Sequence, residues 1–393
     1  MGTMALTEEF PGVPPLKPTS ASSGTIESVT LPSGTKLASY NNSGGLSSLK
    51  IAIAAGSSKE TFSSKGAAQL LGVSAFSGSE NKTGLALIRE FDELGAQVYT
   101  SADRELITLG VSMPSETTSE VMELMKDIIS SPPPSFVYID SKVTASLSYN
   151  SLKTNPISIL NELIYEASYG ESSPLANFYA TSLDSVSHDE VLKYRLDQFK
   201  SGNFIITGNN ISMESLKTFA NDCNLPNGST STITSPFKGG EFKLKSSYGS
   251  DSAVAIAFPI SSGDKSSDVI QNSILAKACG MPLIPFSGAG IMGFYSIGEP
   301  LAVTTALNTA VTELKAIANG SDVSNALAKV SVDSKLLLSN SPNDVLISTS
   351  MYGTSEPSAA SVKAAASAAL KGQPAYAVLG TIPGTPELKT ILG

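Results

Sequence analysis

The sequence predicts an α+β protein made of two homologous halves, each a mostly antiparallel sheet with helices packed on one side. Three observations predict it. The 393 residues exceed what one ordinary hydrophobic core organises, so two or more domains are expected. Short alternating apolar runs give way to segments with helical periodicity and then return, which is the signature of strands and helices in one layered unit. A stretch dense in Pro, Gly, Ser and Thr, Asn224–Glu241, interrupts the chain, and after it the same order of elements resumes.

Before the first strand, residues 1–24 read as an extended, proline-rich arm carrying Glu8, Glu9 and Pro11, Pro14, Pro15 and Pro18, with Lys17 its one basic residue. A mitochondrial presequence is Arg-rich and poor in acids, and a secretory signal has an apolar core. The arm has neither character, so it reads either as the start of a mature form or as a chain not targeted in this way.

The first half spans 25–223. Ile26–Tyr40 is a hairpin, two alternating runs around Pro32-Ser33-Gly34, and Leu46–Gly56 is a third strand. Gly66–Phe76, rich in Ala and Leu, reads as a buried helix, and Thr83–Leu94 as an amphipathic helix ended by Gly95. Ala96–Met113 reads as a strand pair and Thr117–Ser130 as a helix, stopped by Ser131–Ser135 with its three prolines. From Ser141 to about Phe199 the pattern is helical, broken at Asn155-Pro156 and Gly170–Pro174, with a capping box of Ser187 and Glu190 opening its last helix. A strand at Asn203–Gly208 and a helix at 213–222 close this half.

The linker occupies 224–240 and the second half, shorter, 241–393. It reads as strands at 241–246 and 253–260, a helix at 268–280, a strand at 291–298, a long helix at 301–318 and a further helix at Val323–Leu338. A helix within 361–372 and a strand at 375–382 end the pattern.

Composition excludes several classes of function. Net charge is −9 without basic clusters, which argues against nucleic acid and against docking on anionic lipid. No apolar run approaches the roughly 20 residues of a membrane helix, so membrane association would run through protein partners only. Only 16% of residues are charged, against about a quarter in an ordinary soluble domain, so part of the surface is expected to be hidden in an assembly. Cys223 and Cys279 lack CxxC spacing and read as buried thiols in a reducing compartment.

The missing chemistry is as informative. His188 is the one histidine in this sequence, so neither HExxH nor HxxEH can be built and no metal or cofactor site is expected. It sits in the capping box and reads as an ordinary surface residue. No GxSxG elbow stands ready to use it. Gly288-Ala289-Gly290 lacks the third glycine and following helix of a dinucleotide fingerprint and reads as a turn. Asp92, Glu93, Asp103 and Glu105 read as carboxylates on solvated edges rather than a paired acid and base.

In order, the first half carries LPSGTKLAS, IAIAAGSSKE, GAAQLLGVSAF, LGAQVYTSADRE and SPLA at Ser173–Ala176. This series resembles the N-terminal half of the insulinase-like zinc peptidases, a family that includes the mitochondrial processing peptidase and the core subunits of respiratory complex III. The resemblance extends over roughly Thr25–Gly393. In active members a helix carries HxxEH, two zinc-binding histidines with a glutamate base. Laid on GAAQLLGVSAF without a gap, those positions become Gln69, Gly72 and Val73. The family's further acidic ligand falls near Leu147 or Ser148, where no carboxylate stands. Gly72 and Val73 can neither bind zinc nor take a proton, and a lone glutamine is a poor ligand. The resemblance therefore implies the family fold with its catalytic positions degenerate and Gly72 and Val73 turned to packing.

The MGFYSI strand, the ending AVLGTIPGTPELKTIL and the proline-containing arm are similar to the core 2 branch. That branch implies a structural role in complex III, peripheral on the matrix side of the mitochondrial inner membrane, without a redox centre. Implied partners are a core 1 type subunit, cytochrome b, cytochrome c1 and the Rieske protein, in a dimeric assembly. One departure bears on the alternative, an alpha-type processing-peptidase subunit that binds presequences. Between Cys279 and Met292, where the family places a longer segment with a glycine-rich substrate-handling loop, this chain has only GMPLIPFSGAG, which implies loss of presequence handling.

Overall fold

The computed structural model describes residues 24–42, 45–152, 154–176, 178, 183, 186–230, 235–245, 252–353, 356–380 and 387–392. The proline-rich arm up to Ser23 lies outside them. The first half contains β1 (Thr25–Thr30), β2 (Lys36–Asn41), β3 (Leu46–Ile53), α1 (Ala67–Ser74), α2 (Gly84–Glu93), β4 (Gln97–Ala102) and β5 (Ile107–Pro114). These are followed by α3 (Thr118–Ser130), α4 (Ser135–Leu152), α5 (Pro156–Tyr169), α6 (His188–Gln198), β6 (Phe204–Asn209) and α7 (Met213–Asp222). The second half begins with β7 (Gly240–Lys245), β8 (Ser252–Pro259), α8 (Ser266–Lys277), β9 (Ile284–Gly288), β10 (Ile291–Gly298) and α9 (Pro300–Asn319). It ends with α10 (Ser324–Asn340), α11 (Pro342–Tyr352), α12 (Ala359–Ala369), β11 (Ala375–Gly380) and α13 (Leu388–Leu392).

The strands form two sheets, ordered β1-β2-β6-β3-β5-β4 and β7-β11-β8-β10-β9. Each has one parallel pair, β2 with β6 and β7 with β11, and is otherwise antiparallel. Dropping β1 from the first order superimposes the two topologies strand for strand, so the repeat expected from the sequence is a repeat of connectivity. With β1 set aside, the last strand of each half enters beside the first, β6 beside β2 and β11 beside β7, which is why the parallel pair occupies the same place in both.

Strand residues sort the two faces of each sheet. In β8 and β11, Val254, Ile256, Phe258, Tyr376 and Val378 point into a core shared with α8, α9 and α12. Ala253, Ala255, Ala257, Ala375 and Ala377 point the other way. These strands are buried along nearly their whole length, so both faces need a cover. On the alanine face that cover is α5, from the first half, seated through Leu160, Leu163 and Ile164. Small side chains let a helix backbone approach a sheet closely. The first sheet receives the reciprocal treatment. Leu37, Leu49, Ile51, Val111 and Ile206 join the core with that half's own helices, including α1 and α3. Ala38, Tyr40, Ala52 and Ile205 face Leu346 and Ile347 of α11, from the second half. Each half thus lends one helix to the other's sheet. Lys36 Nζ donating to the Ser350 carbonyl at 2.7 Å, the Lys50–Asp344 ion pair and Asn343 Nδ2 donating to Ser48 Oγ at 2.9 Å tie α11 in place.

Four elements differ from the sequence reading, one of them α13 (Leu388–Leu392), which follows the strand expected to end the pattern. α4 starts at Ser135, six residues before the expected Ser141, because the proline run that stops α3 also opens the next helix; Val137 N–H already bonds the Pro134 carbonyl at 3.0 Å. β9 lies within the short GMPLIPFSGAG segment, to which the sequence assigns no strand; Pro285 hides it and is tolerated because β9 is an edge strand. α11 begins at Pro342 and is rich in Ser, Thr and branched residues, a poor helix by propensity that the first sheet's open face holds in place.

Candidate functional site

The helix singled out by the sequence lies beneath the edge of the first sheet. α1 starts at Gly66, whose φ of 96° only glycine adopts freely. Glu60 turns its carboxylate onto the helix start, accepting from the Gly66 and Ala68 N–H groups at 2.8 Å each. Burial raises the Glu60 pKa to about 7; those two bonds and Lys65 pull the other way and lose. A cavity of about 680 Å³ opens beside it, with Lys65, Glu171 and Lys238 on its wall.

Along α1 the three positions matched to HxxEH point at packing. Gln69 is buried, and its Oε1 has no hydrogen-bond partner among the described residues. Gly72 is pressed against β4: a Cβ there would stand 3.0 Å from Ala102 Cβ, and its carbonyl accepts from Thr100 Oγ1 at 3.0 Å. Val73 is half-buried against the first core. α4 lies alongside α1 with Ala145 fully buried. Leu147 is exposed, and Ser148 Oγ donates to the Thr144 carbonyl at 3.0 Å. Among the described residues no group of three or more His, Cys, Asp and Glu gathers as metal ligands would.

Other residues named from the sequence are dispersed. The Ser187–Glu190 capping box is present on α6. His188 is not simply a surface residue: its ring lies 4.9 Å from that of Tyr138, and its Nε2 is shielded from water. Ser187 sets the helix start and so turns the next side chain back toward α4. Cys223 is buried, and burial pushes its thiol up to about 12, whereas Cys279 is exposed, contrary to the expected buried pair. It follows the last turn of α8, where the chain leaves the core for β9. Of Gly288-Ala289-Gly290, Gly288 ends β9 and Ala289-Gly290 is the two-residue turn of the β9–β10 hairpin, with φ of 45° at Ala289 and 85° at Gly290.

The largest correction concerns the β4–β5 turn. Asp92, Glu93 and Asp103 are exposed, as expected, but Glu105 is not on a solvated edge. It reaches the junction of the halves, where Tyr352 Oη donates to it at 3.1 Å and the Ala289 N–H also bonds it; burial raises its pKa. Its neighbour Arg104 is buried, donates through Nε to the Leu175 carbonyl at 3.1 Å, pairs with Glu162 at 2.5 Å and lies 3.8 Å over the Tyr165 ring. Tyr165 Oη donates to the Gly288 carbonyl at 2.9 Å and Tyr169 Oη to that of Ala289. One hairpin turn therefore holds α5, the β9–β10 turn and the end of α11. The adjoining cleft, about 360 Å³, is bordered by Lys59, Glu105, Tyr169, Phe237 and Met351. The run SADRE marked this turn in the sequence, but its partners lie 58 to 247 residues away and left no local sign.

Two sheets of one topology, an α1 that follows the third strand and an α4 that returns beside it can be set against known families. Residues 36–178 match the family model described as insulinase, peptidase family M16. This stretch is an M16 domain. The probable mitochondrial-processing peptidase subunit alpha-1 of Arabidopsis thaliana is 23% identical over 339 residues, covering 75% of this chain and 66% of that protein. Cytochrome b-c1 complex subunit 2 of Rattus norvegicus is 22% identical over 354 residues, covering 80% and 76%. The mitochondrial-processing peptidase subunit alpha of Solanum tuberosum is 29% identical over 147 residues, 36% of this chain and 28% of the relative. The chain spans just under two thirds of the length of the Arabidopsis relatives, 66% of each. The M16 domain holds α1, α4 and the β4–β5 turn, so every position matched to a ligand lies within it.

Proposed function

We propose that this chain is a non-catalytic, structural core 2 type subunit of mitochondrial complex III. In this reading it pairs with a core 1 type M16 subunit on the matrix side of the inner membrane and supports cytochrome b, cytochrome c1 and the Rieske protein in a dimeric assembly. Its two M16-like domains are 25–223 and 241–393, joined by 224–240. The observation that carries the proposal is α1: where an active member needs two histidines and a glutamate, Gln69, Gly72 and Val73 stand, and Gly72 lies so near β4 that a Cβ there would stand only 3.0 Å from Ala102 Cβ. Further support comes from the likeness to the rat b-c1 subunit, which extends over more of both chains than the alpha-1 likeness does. No helix among the described residues is long and apolar enough to cross a membrane, which suits attachment through partners.

A second reading, an alpha-type processing-peptidase subunit that binds presequences, is favoured by the Arabidopsis relatives. Against it, the segment before β10 is folded as β9, paired from Ile284 to Gly288, and leaves no open glycine-rich loop. Native separation of mitochondrial membranes in mild detergent, with mass spectrometry of the band holding this chain, distinguishes the two. Cytochromes b and c1, the Rieske protein and a core 1 type subunit are the expected companions. A soluble pair with an HxxEH-bearing subunit sinks the proposal in favour of presequence binding.

A further inference from the structure

α4 is a helix of 18 residues with two apolar sides. Its inner side, Val137, Tyr138, Ser141 and Ala145, is buried, with α1 among its neighbours. Its outer side carries Phe136, Ile139, Val143 and Leu147, which are 60%, 67%, 59% and 65% exposed. Spacings of three, four and four residues place these four on one stripe running roughly 16 Å along the helix. A surface helix ordinarily presents polar residues there, and a helix apolar on both sides is ordinarily enclosed. The charged residues within the helix are Asp140 and Lys142. Lys142 faces Glu190 of α6, whose carboxyl it helps to hold low behind the bonds from Ser187, so Asp140 is the charge left on the outer side.

The size of the stripe selects its occupant. Four large side chains this open leave on the order of 400 Å² of apolar surface in water, the scale at which a patch on a monomer marks an interaction site. Two copies pairing stripe to stripe would bury about 800 Å² in total, short of the about 1,200 Å² of a stable specific interface. A ridge of anchors at this spacing instead matches a helix received by a groove, which wraps it and adds buried area from both walls. The geometry points to α4 as a docking ridge for a different polypeptide, one presenting an apolar, largely uncharged groove with a basic residue at the rim opposite Asp140. This inference rests on the proposed subunit role only in taking that polypeptide to be a fellow subunit.

The test uses the full chain in its native assembly. A photo-crosslinking residue placed at Val143 should link to one other subunit, and peptide mass spectrometry should map the link to an apolar groove bordered by Lys or Arg. Ile139→Asp with Val143→Asp should cut recovery of that subunit at least tenfold, with Tm shifted by no more than a few degrees. Leu301→Asp, a still more exposed leucine at the start of α9, should leave recovery unchanged. A crosslink to a second copy of this chain, unchanged recovery with the double variant, or equal loss with Leu301→Asp overturns the inference. If the crosslinked, variant-sensitive partner is an HxxEH-bearing peptidase subunit, the complex III reading fails while the docking ridge stands.

Discussion

At the start of α1 two forces act on the Glu60 carboxyl: burial favours the neutral form and two backbone N–H groups favour the ionised one. Burial wins, so the folded pKa is about 7 against an ordinary 4.5. Between those values the folded chain holds a proton the unfolded chain has released, and stability therefore falls as pH rises through this window. Glu60→Gln should flatten that dependence. It should also cost about 1–3 kcal/mol near pH 5, because one carboxamide oxygen replaces two acceptors and a buried N–H loses its partner. Denaturant midpoints for both chains at about pH 5 and about pH 8 check this; an equal slope in the two would show that another group carries the dependence. Gly72 gives a second residue-level expectation. Gly72→Glu restores the family's base but forces its Cβ against Ala102, so it should lower stability by about 1–3 kcal/mol in a thermal melt. A neutral result would mean that α1 can slide from β4.

Among elements, the β4–β5 turn is the point on which the arrangement of the halves depends most directly. Arg104 is buried with Glu162, and removing one member strands the other in a poorly solvated site. Arg104→Ala should cost about 3–5 kcal/mol, more than Glu162→Gln, whose carboxamide oxygen can still accept from the Arg104 guanidinium. A double-mutant cycle should give a coupling above about 1 kcal/mol, whereas additive effects would reduce the pair to a bystander of the Tyr165 stacking. The sequence marked this turn without revealing its purpose, and the reason is physical. Strands, caps and hairpin turns are written locally, in alternation, in Ser187 with Glu190, in Pro-Ser-Gly, and those elements were legible. Glu105 looked like an edge carboxylate because its neighbours in sequence are polar; what buries it is Tyr352 and the Ala289 turn from the other half. β9 and α11 escaped for the same reason, since tertiary partners overrule a proline in one and weak propensity in the other. At α1 the legible part was the residue types at the three matched positions, and the contact of Gly72 with Ala102 was not.

For the molecule as a whole, the exchange of α5 and α11 decides how many cooperative units the chain contains. Two sheets joined by a segment rich in Pro, Gly and Ser suggest two domains able to melt separately. The packing argues otherwise. Cut near residue 227, the first fragment would bare the apolar side of α5, Leu160, Leu163 and Ile164, and leave Ala38, Ala52 and Ile205 of its sheet without Leu346 and Ile347. The second fragment would expose the alanine face of β8 and β11 and an unsupported α11. Neither half can cover both faces of its own sheet, and buried strands tolerate no uncovered face. The intact chain should therefore unfold in one transition, with calorimetric and van't Hoff enthalpies agreeing. Fragments 1–227 and 228–393 expressed apart should be insoluble or molten, and should recover a folded complex only when expressed together. Hydrogen exchange supplies an independent reading on the intact chain. Leu346→Ala with Ile347→Ala, in the second half, should speed exchange in β2 and β6 of the first by at least tenfold while leaving β8 and β10 protected. Faster exchange confined to α11 would show that the first sheet stands without its borrowed helix, and that the halves are separate units that merely touch.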